Sequence, residues 1–389
     1  MKSVQDSFTF ATAPTIQFGA GCLSHIGTLA AGTMGRSCLI VTDRGLVATG
    51  IVDQALTALR SHGIHCDIFD KVEADPSEAT VLSAVEHAKS QAYDSIIGLG
   101  GGSSLDVAKL VAYLAGTGEN IRDIYGVGQA NGARLPLILI PTTSGTGSEV
   151  TPIAIVTTPT SEKMGVVSPA LLPDIALLDP SLTVGLPAHI TAATGIDAMV
   201  HAIEAYASAS PNNNPISRTL ALEALRLIGG SLLRGVHHGS DLEARSRLLV
   251  GSMLAGQAFA NSPVAAVHAL AYPIGGHFKI PHGLSNALVL PHVLRFNSAH
   301  APDDYIEMAP AAFPDLAAFS NSNRAEAFCD ALATLSADCG LPQRLRDVGI
   351  GSEDLSMMAR DAMNQSRLLV NNPRPVTEAD ALSIYEAAW

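Results

Sequence analysis

Up to about Pro180, short aliphatic runs alternate with stretches in which apolar residues recur at helical spacing. Ser37–Thr42 (SCLIVT), His65–Phe69, Ser95–Leu99 (SIIGL) and Leu135–Pro141 (LPLILIP) have the length and branched-aliphatic character of buried strands. Ile51–His62, Ser77–Gln91 and about Ser104–Leu114 read as helices between them. Strands that are apolar on both faces, separated by helices, predict a largely parallel sheet covered on both sides. Beyond Leu182 the pattern becomes helical throughout. Ile190–Ala209, Pro215–His237, Asp241–Ala260, Ala325–Cys339 and Glu353–Asn364 read as helices, and Ala209–Pro215 as a polar loop. Gly185 and Pro187 interrupt the pattern. The expected organisation is an α/β domain over residues 1–184, with a mostly parallel sheet, and an all-α domain over 185–389.

Composition narrows the functional classes. A chain of 389 residues suits two domains, and 47% hydrophobic against 15% charged residues allows a large core. Aromatics are only 5%, so that core is aliphatic. A net charge of -13 argues against nucleic acid and against an anionic membrane surface. The longest apolar stretches, such as Leu135–Pro141, are too short to span a bilayer. Met1–Phe10 is mixed and polar, with no signal-peptide pattern. Cys22, Cys38, Cys66, Cys329 and Cys339 are scattered without a CxxC pair. Reduced thiols in a cytoplasmic protein are expected, and a Cys-type zinc site is not.

Two glycine-rich turns follow predicted strands. Gly98-Leu99-Gly100-Gly101-Gly102-Ser103-Ser104 opens a helix, whose unpaired N–H groups suit a phosphate. The spacing is not GxGxxG, and a plain tight turn is the competing reading. Pro141-Thr142-Thr143-Ser144-Gly145-Thr146-Gly147-Ser148 offers five hydroxyl residues after a strand, suited to phosphate, ribose or carboxamide contacts or simply to a solvated loop. Asp43, at the end of LIVT, can accept hydrogen bonds from adenosine ribose hydroxyls and repel a 2′-phosphate, which favours NAD over NADP. It can equally be a turn residue or helix cap.

Gly195-Ile196-Asp197-Ala198-Met199-Val200-His201 places Asp197 and His201 four apart on one face of an apolar helix. An Asp there is costly to bury alone. A metal ion resolves that cost, and so does an Asp–His hydrogen bond. The stretch from His268 to His282 adds two histidines. One Asp and three His without a thiolate suit Fe(II) or Zn(II), with a position open for substrate.

Together, GGGSSLDVAK (Gly100–Lys109), PTTSGTGSEVT (Pro141–Thr151), GIDAMVHAIEAY (Gly195–Tyr206) and the His268–His282 stretch leading into Gly283-Leu284-Ser285-Asn286-Ala287 resemble the iron-containing (group III) alcohol dehydrogenase family over nearly the whole chain. The resemblance implies an N-terminal dinucleotide-binding α/β domain, an all-helical catalytic domain and an active site in the cleft between them. It implies metal ligation by Asp197, His201, His268 and His282. The implied NAD contacts are Asp43, Gly100, Gly101, Gly102, Ser103, Asp106, Thr142, Thr143, Thr146 and Lys163, with Asp106 toward the nicotinamide. The implied partners are a small-molecule alcohol or aldehyde and further copies of the chain, a homodimer being expected.

Tyr272 stands where many members carry a histidine proposed as a proton relay. Its hydroxyl can still donate, although an ordinary tyrosine pKa is about 10. Asp75 stands where many members have Asn near the adenosine. His277 and Lys279 are expected in one loop, where they can recognise a substrate carboxylate, as in branches resembling hydroxy-acid (4-hydroxybutyrate-type) dehydrogenases. The candidate catalytic side chains are Tyr272, His277 and Asp106, and Phe259 and Val264 are candidate pocket walls. The competing readings are a maleylacetate reductase, a zinc-dependent glycerol dehydrogenase, a non-redox lyase of the dehydroquinate-synthase type, and a non-catalytic ligand-binding protein.

Overall fold

A computed structural model of the chain describes residues 7–160 and 162–389. They form two compact units: residues 11–143 with 147–184, and residues 185–389 with 7–10 and 144–146.

Among the described residues the first unit contains nine strands: β1 (Thr15–Phe18), β2 (Ser37–Val41), β3 (His65–Phe69), β4 (Ser95–Gly100), β5 (Gly126–Val127), β6 (Leu137–Pro141), β7 (Ile153–Thr157), β8 (Lys163–Val167) and β9 (Ile175–Leu178). Its helices are α1 (Ile26–Ala31), α2 (Arg44–Val47), α3 (Ile51–Arg60), α4 (Glu78–Ser90) and α5 (Gly102–Thr117). Six strands make an all-parallel sheet in the order β1-β9-β6-β4-β2-β3. The continuous apolar runs resolve into alternating faces. Leu39, Val41, Ile96, Leu137 and Leu139 pack with residues of α4 and α5. Cys38, Ile40, Ile97, Leu99, Ile138 and Ile140 pack with residues of α1 and α3 on the other face. A smaller sheet, β5-β8-β7, contains the antiparallel pair β7–β8.

The strand order reverses direction between β2 and β4, since β3 lies on one side of β2 and β4 on the other. Ligands of open α/β sheets bind at such a reversal, beyond the carboxyl ends of the strands. Asp43 follows β2 and the glycine turn follows β4 at this point. Gly100 has φ +152°, a region that side chains rarely adopt, and a Cβ there would stand 2.7 Å from Ser104 Oγ and 3.7 Å from Asp43 Oδ2.

The turn after β6 is held from beneath by Lys109 of α5, which has no solvent exposure. Its Nζ donates to Ser148 Oγ (2.8 Å), Thr151 Oγ1 (3.2 Å) and the Ile153 carbonyl (2.7 Å). Burial pulls the Lys109 ammonium below its ordinary range, and burial pushes the adjacent Glu149 carboxyl up to about 7.

The second unit is helical: α6 (Ala188–Ala207), α7 (Pro215–Gly229), α8 (Leu232–His237), α9 (Leu242–Asn261), α10 (Ala266–Phe278), α11 (His282–Ser298), α12 (Pro302–Ala312), α13 (Asn321–Asp338), α14 (Leu355–Ala362), α15 (Ser366–Leu369) and α16 (Glu378–Ala388). α6 is its central element, packed by α7, α9 and α11 and buried along most of its length. The segment Pro215–His237, expected as one helix, is two. α7 ends at Gly229, and α8 restarts at Leu232 to pack against α6. No helix among the described residues is long and apolar enough to cross a membrane.

Glu149 carries a pH prediction. Its carboxyl ionises near 4.5 when unfolded and near 7 in the fold. The folded state therefore retains a proton that the unfolded chain has lost. That contribution to stability is fully present below about 4.5 and disappears as pH rises through 7. Glu149→Gln should leave melting near pH 4.5 little changed and raise Tm over wild type increasingly up to about pH 7. A Tm difference independent of pH contradicts the assignment.

Candidate metal centre

Helix α6 presents Asp197, His201 and Glu204 at positions i, i+4 and i+7, one stripe of the helix. His268 sits in the first turn of α10 and His282 is the first residue of α11. Gly283 lets α11 approach α6 closely, since a Cβ there would lie 2.5 Å from the Ala193 carbonyl. One ligand-type atom from each of Asp197, His201, His268 and His282 falls within 4.8 Å of the other three. All four predicted ligands thus converge, although they come from three helices.

The hydrogen bonds orient these groups inward. His201 Nδ1 lies 3.2 Å from the Gly145 carbonyl, which only accepts, so Nδ1 carries the proton. His268 Nδ1 lies 2.6 Å from Glu204 Oε2. Their Nε2 atoms, 3.0 Å apart, then both present lone pairs to the same point. His282 Nε2 is 3.7 Å from Asp197 Oδ1. Asn286 Nδ2 donates to Asp197 Oδ1 at 2.6 Å and lies 3.3 Å from Nε2 of both His268 and His282. Phe259 stacks on His201 with ring centroids 4.3 Å apart.

Burial sets the protonation. It pulls His201 below its ordinary pKa and His268 well below, so both imidazoles are neutral. Burial pushes the Asp197 carboxyl up, but the polar surroundings, the three imidazoles and the Asn286 amide that donates to it, outweigh burial and hold the carboxyl below its usual range. Asp197, His201 and His268 are buried, whereas the His282 side chain is 31% exposed, so the cluster opens on that side. Facing lone pairs beside a buried carboxylate are mutually repulsive unless a cation lies among them. A donor set of one carboxylate and three imidazoles fits Fe(II) or Zn(II), and the second nitrogen of His201 and of His268 is bonded as a metal-ligating imidazole requires.

The remaining candidates are placed as follows. Tyr272 is partly buried, its ring centroid 6.2 Å from that of His282. His277 lies in the last turn of α10 rather than in the expected loop, 2.5 Å from Asp361. Lys279 ends that helix in a left-handed conformation and donates to the Gly276 carbonyl. Asn371 Nδ2 donates to the Val264 carbonyl at 3.1 Å. Thr146 belongs with the helical unit.

In the α/β unit, Asp43 caps α2 through Oδ1, which accepts from Leu46 N at 2.9 Å. Helix α5 starts beyond Gly101, which supplies no capping side chain, so the first-turn N–H groups of Gly102 and Ser103 face outward from the glycine turn. Thr143 lies against Gly101, and Thr142 N donates to the Gly100 carbonyl. Both oxygens of Asp106 are engaged, accepting from Ser148 Oγ (2.6 Å) and Ile155 N (2.9 Å). Lys163 pairs with Asp75 at 2.5 Å. Asp75 has φ +52°, a conformation that Asn and Asp tolerate better than most other side chains.

Glu204, Asn286 and the Gly145 carbonyl were not expected from sequence. Glu204 continues the stripe of Asp197 and His201, and Asn286 lies one turn after His282, so helical spacing pointed to both. Nothing in the residue order could reveal the Gly145 contact.

Residues 13–180 match the iron-containing alcohol dehydrogenase family, and residues 191–389 match the C-terminal domain of the Fe-containing alcohol dehydrogenase family. The chain is 41% identical to long-chain-alcohol dehydrogenase 1 of Geobacillus thermodenitrificans, over 97% of this chain and 95% of that one. It is 37% identical to 1,3-propanediol dehydrogenase of Citrobacter freundii, over 96% of each. The crystal structure of a 1,3-propanediol oxidoreductase superposes with a TM-score of 0.94 at 35% identity, covering 98% of this chain and all of that one. Sulfoacetaldehyde reductase from Bifidobacterium kashiwanohense in complex with NAD+ superposes at 0.87 with 28% identity, covering 98% of each. With both halves matched and the cluster of Asp197, His201, His268 and His282 gathered in the helical unit, the chain belongs to the iron-containing alcohol dehydrogenase family.

Proposed function

We propose that the protein interconverts a primary or secondary alcohol and its aldehyde or ketone, with NAD as hydride partner and Fe(II) held by Asp197, His201, His268 and His282. The observation that carries this reading is the convergence of those four ligand atoms. Nicotinamide-linked alcohol oxidoreduction follows from the family. The ligand set and the substrate class are our assignments.

A divalent cation bound there supplies Lewis acidity to the alcohol oxygen, and NAD supplies the hydride acceptor. The protein's own residues do the rest. Gly145 and Glu204 keep the two imidazoles aimed, and Asn286 holds the carboxylate of Asp197. Phe259 covers His201 and excludes water from that side. Tyr272, beside His282 on the open side, is placed to wall the substrate pocket and carry the hydroxyl proton. Gly100–Ser103 seat the pyrophosphate, with Asp43 toward the ribose and Thr142, Thr143 and Lys163 as further contacts. Asp106 acts by holding Ser148 and Ile155, which shape the turn after β6.

A carboxylate-bearing substrate is less well supported. His277 is tied to Asp361, and Lys279 to the Gly276 carbonyl. The intact ligand set also favours the metal mechanism over a metal-free reductase. We place the protein in the cytoplasm, its five free cysteines being buried, and as a homodimer, which sedimentation will test.

Metal analysis should find about one Fe or Zn per chain, and NADH oxidation should proceed with aldehydes and stop on chelation. Turnover with oxo acids alone returns His277 and Lys279 to the substrate site, and chelator-insensitive turnover of a metal-free protein ends the metal mechanism. His268→Ala should lose bound metal and at least a hundredfold of kcat/KM together, and normal turnover by the metal-loaded variant contradicts the ligand assignment. Gly100→Ala should raise KM for NAD at least tenfold with metal content unchanged. An unaltered KM would remove the glycine turn from the cofactor site.

A further inference from the structure

Glu204 is a buried carboxylate that no metal-ligand assignment uses. Its two oxygens have separate tasks. Oε1 accepts from Val267 N at 2.6 Å, and Oε2 lies 2.6 Å from His268 Nδ1. Val267 is in the first turn of α10, whose N-cap residue, Ala265, provides no capping side chain. A Ser, Thr, Asp or Asn at position 265 would cap this helix locally. The chain instead brings a carboxylate from α6, the helix that already carries Asp197 and His201. A buried charge is costly, and a helix N-terminus together with an imidazole N–H offsets that cost.

We propose that Glu204 is a positioning residue of the metal centre, which fixes the tautomer and direction of His268 so that Nε2 is always the ligand atom. The inference rests on the metal reading above and adds to it. With Nδ1 engaged by the Glu204 carboxyl, Nε2 is the ring nitrogen that faces the cluster, the arrangement seen where a metal-ligating imidazole is bonded to a carboxyl group through its other nitrogen. The same carboxylate pins the start of α10, so the backbone that carries His268 and the ring itself are fixed by one group. Glu204→Gln is nearly isosteric, but an amide can accept from one of the two donors and not both.

The test is competition between the metal-free protein and a chromogenic chelator for Zn(II), in wild type, Glu204→Gln, His268→Ala and the double variant, with melting of each metal-free form. Glu204→Gln should weaken Zn(II) binding by about 10- to 100-fold. In the His268→Ala background the same change should weaken it less than about twofold, because the ring it orients is gone. Both backgrounds should melt lower by the same amount, reflecting the lost helix cap. Wild-type affinity in Glu204→Gln, with only the melting temperature reduced, makes Glu204 a cap and nothing more and overturns the proposal. Equal weakening in both backgrounds overturns it too, since Glu204 then acts on the site without His268. If Glu204→Gln does not fold, Glu204→Asp carries the test: it keeps the charge but falls one methylene short, so weaker binding supports the proposal and unchanged binding overturns it. Wild type that takes up no Zn(II) defeats the metal reading itself, an outcome distinct from all of these.

Discussion

The helical unit is organised around an electrostatic problem that it creates for itself. α6 runs through the interior, yet carries Asp197, His201 and Glu204 on one stripe among Ala, Ile, Met and Val. Each is a group whose burial is expensive without a partner. The first residues of α10 and α11 are spent on supplying those partners. His268 faces both Glu204 and His201, and His282 faces Asp197. The Nδ1 atoms of His201 and His268 are engaged by the Gly145 carbonyl and by Glu204, which leaves their Nε2 atoms facing each other at the centre. A cation held there, as proposed above, would complete the arrangement, and the packing of three helices and the chemistry of the site would then have the same cause.

The α/β unit reaches its function by topology rather than by charge. A parallel sheet must reverse its winding somewhere, and here it does so between β2 and β4. Asp43 and the Gly100 turn follow the two strands that flank this reversal, beyond their carboxyl ends. Beneath the neighbouring turn, buried Lys109 ties Ser148, Thr151 and Ile153 together, and Ser148 in turn holds Asp106. Buried charge again serves shape, here by tying the turn after β6 to the start of β7.

Much of this was legible in the residue order because the signals were local. SIIGL, LPLILIP and SCLIVT are too short and too branched to be helices, and the sheet uses all three. Asp197 and His201 share a helical face by spacing alone. The misses have physical reasons. β1 is a half-exposed edge strand, TIQF, without the apolar run of its neighbours. The β7–β8 pair belongs to a second, small sheet that periodicity does not distinguish from loop. The break between α7 and α8 falls at Gly230 and Ser231, where composition weakens the helix but packing against α6 decides. His277 was expected in one loop with Lys279, yet helix α10 runs through Gly275 and Gly276 to Phe278.

Asp75 shows how a departure from family pattern is read differently once its backbone is known. In sequence it is a charge where an amide is usual, which suggests altered cofactor chemistry. In the fold its φ of +52° explains why the position takes either of the two side chains that tolerate that conformation. Its charge is then met by Lys163, which is itself an implied cofactor contact. An amide at position 75 would leave that ammonium free of a formal counter-charge, and the carboxylate does not. The substitution therefore sets a carboxylate against the ammonium that the family resemblance assigns to the dinucleotide.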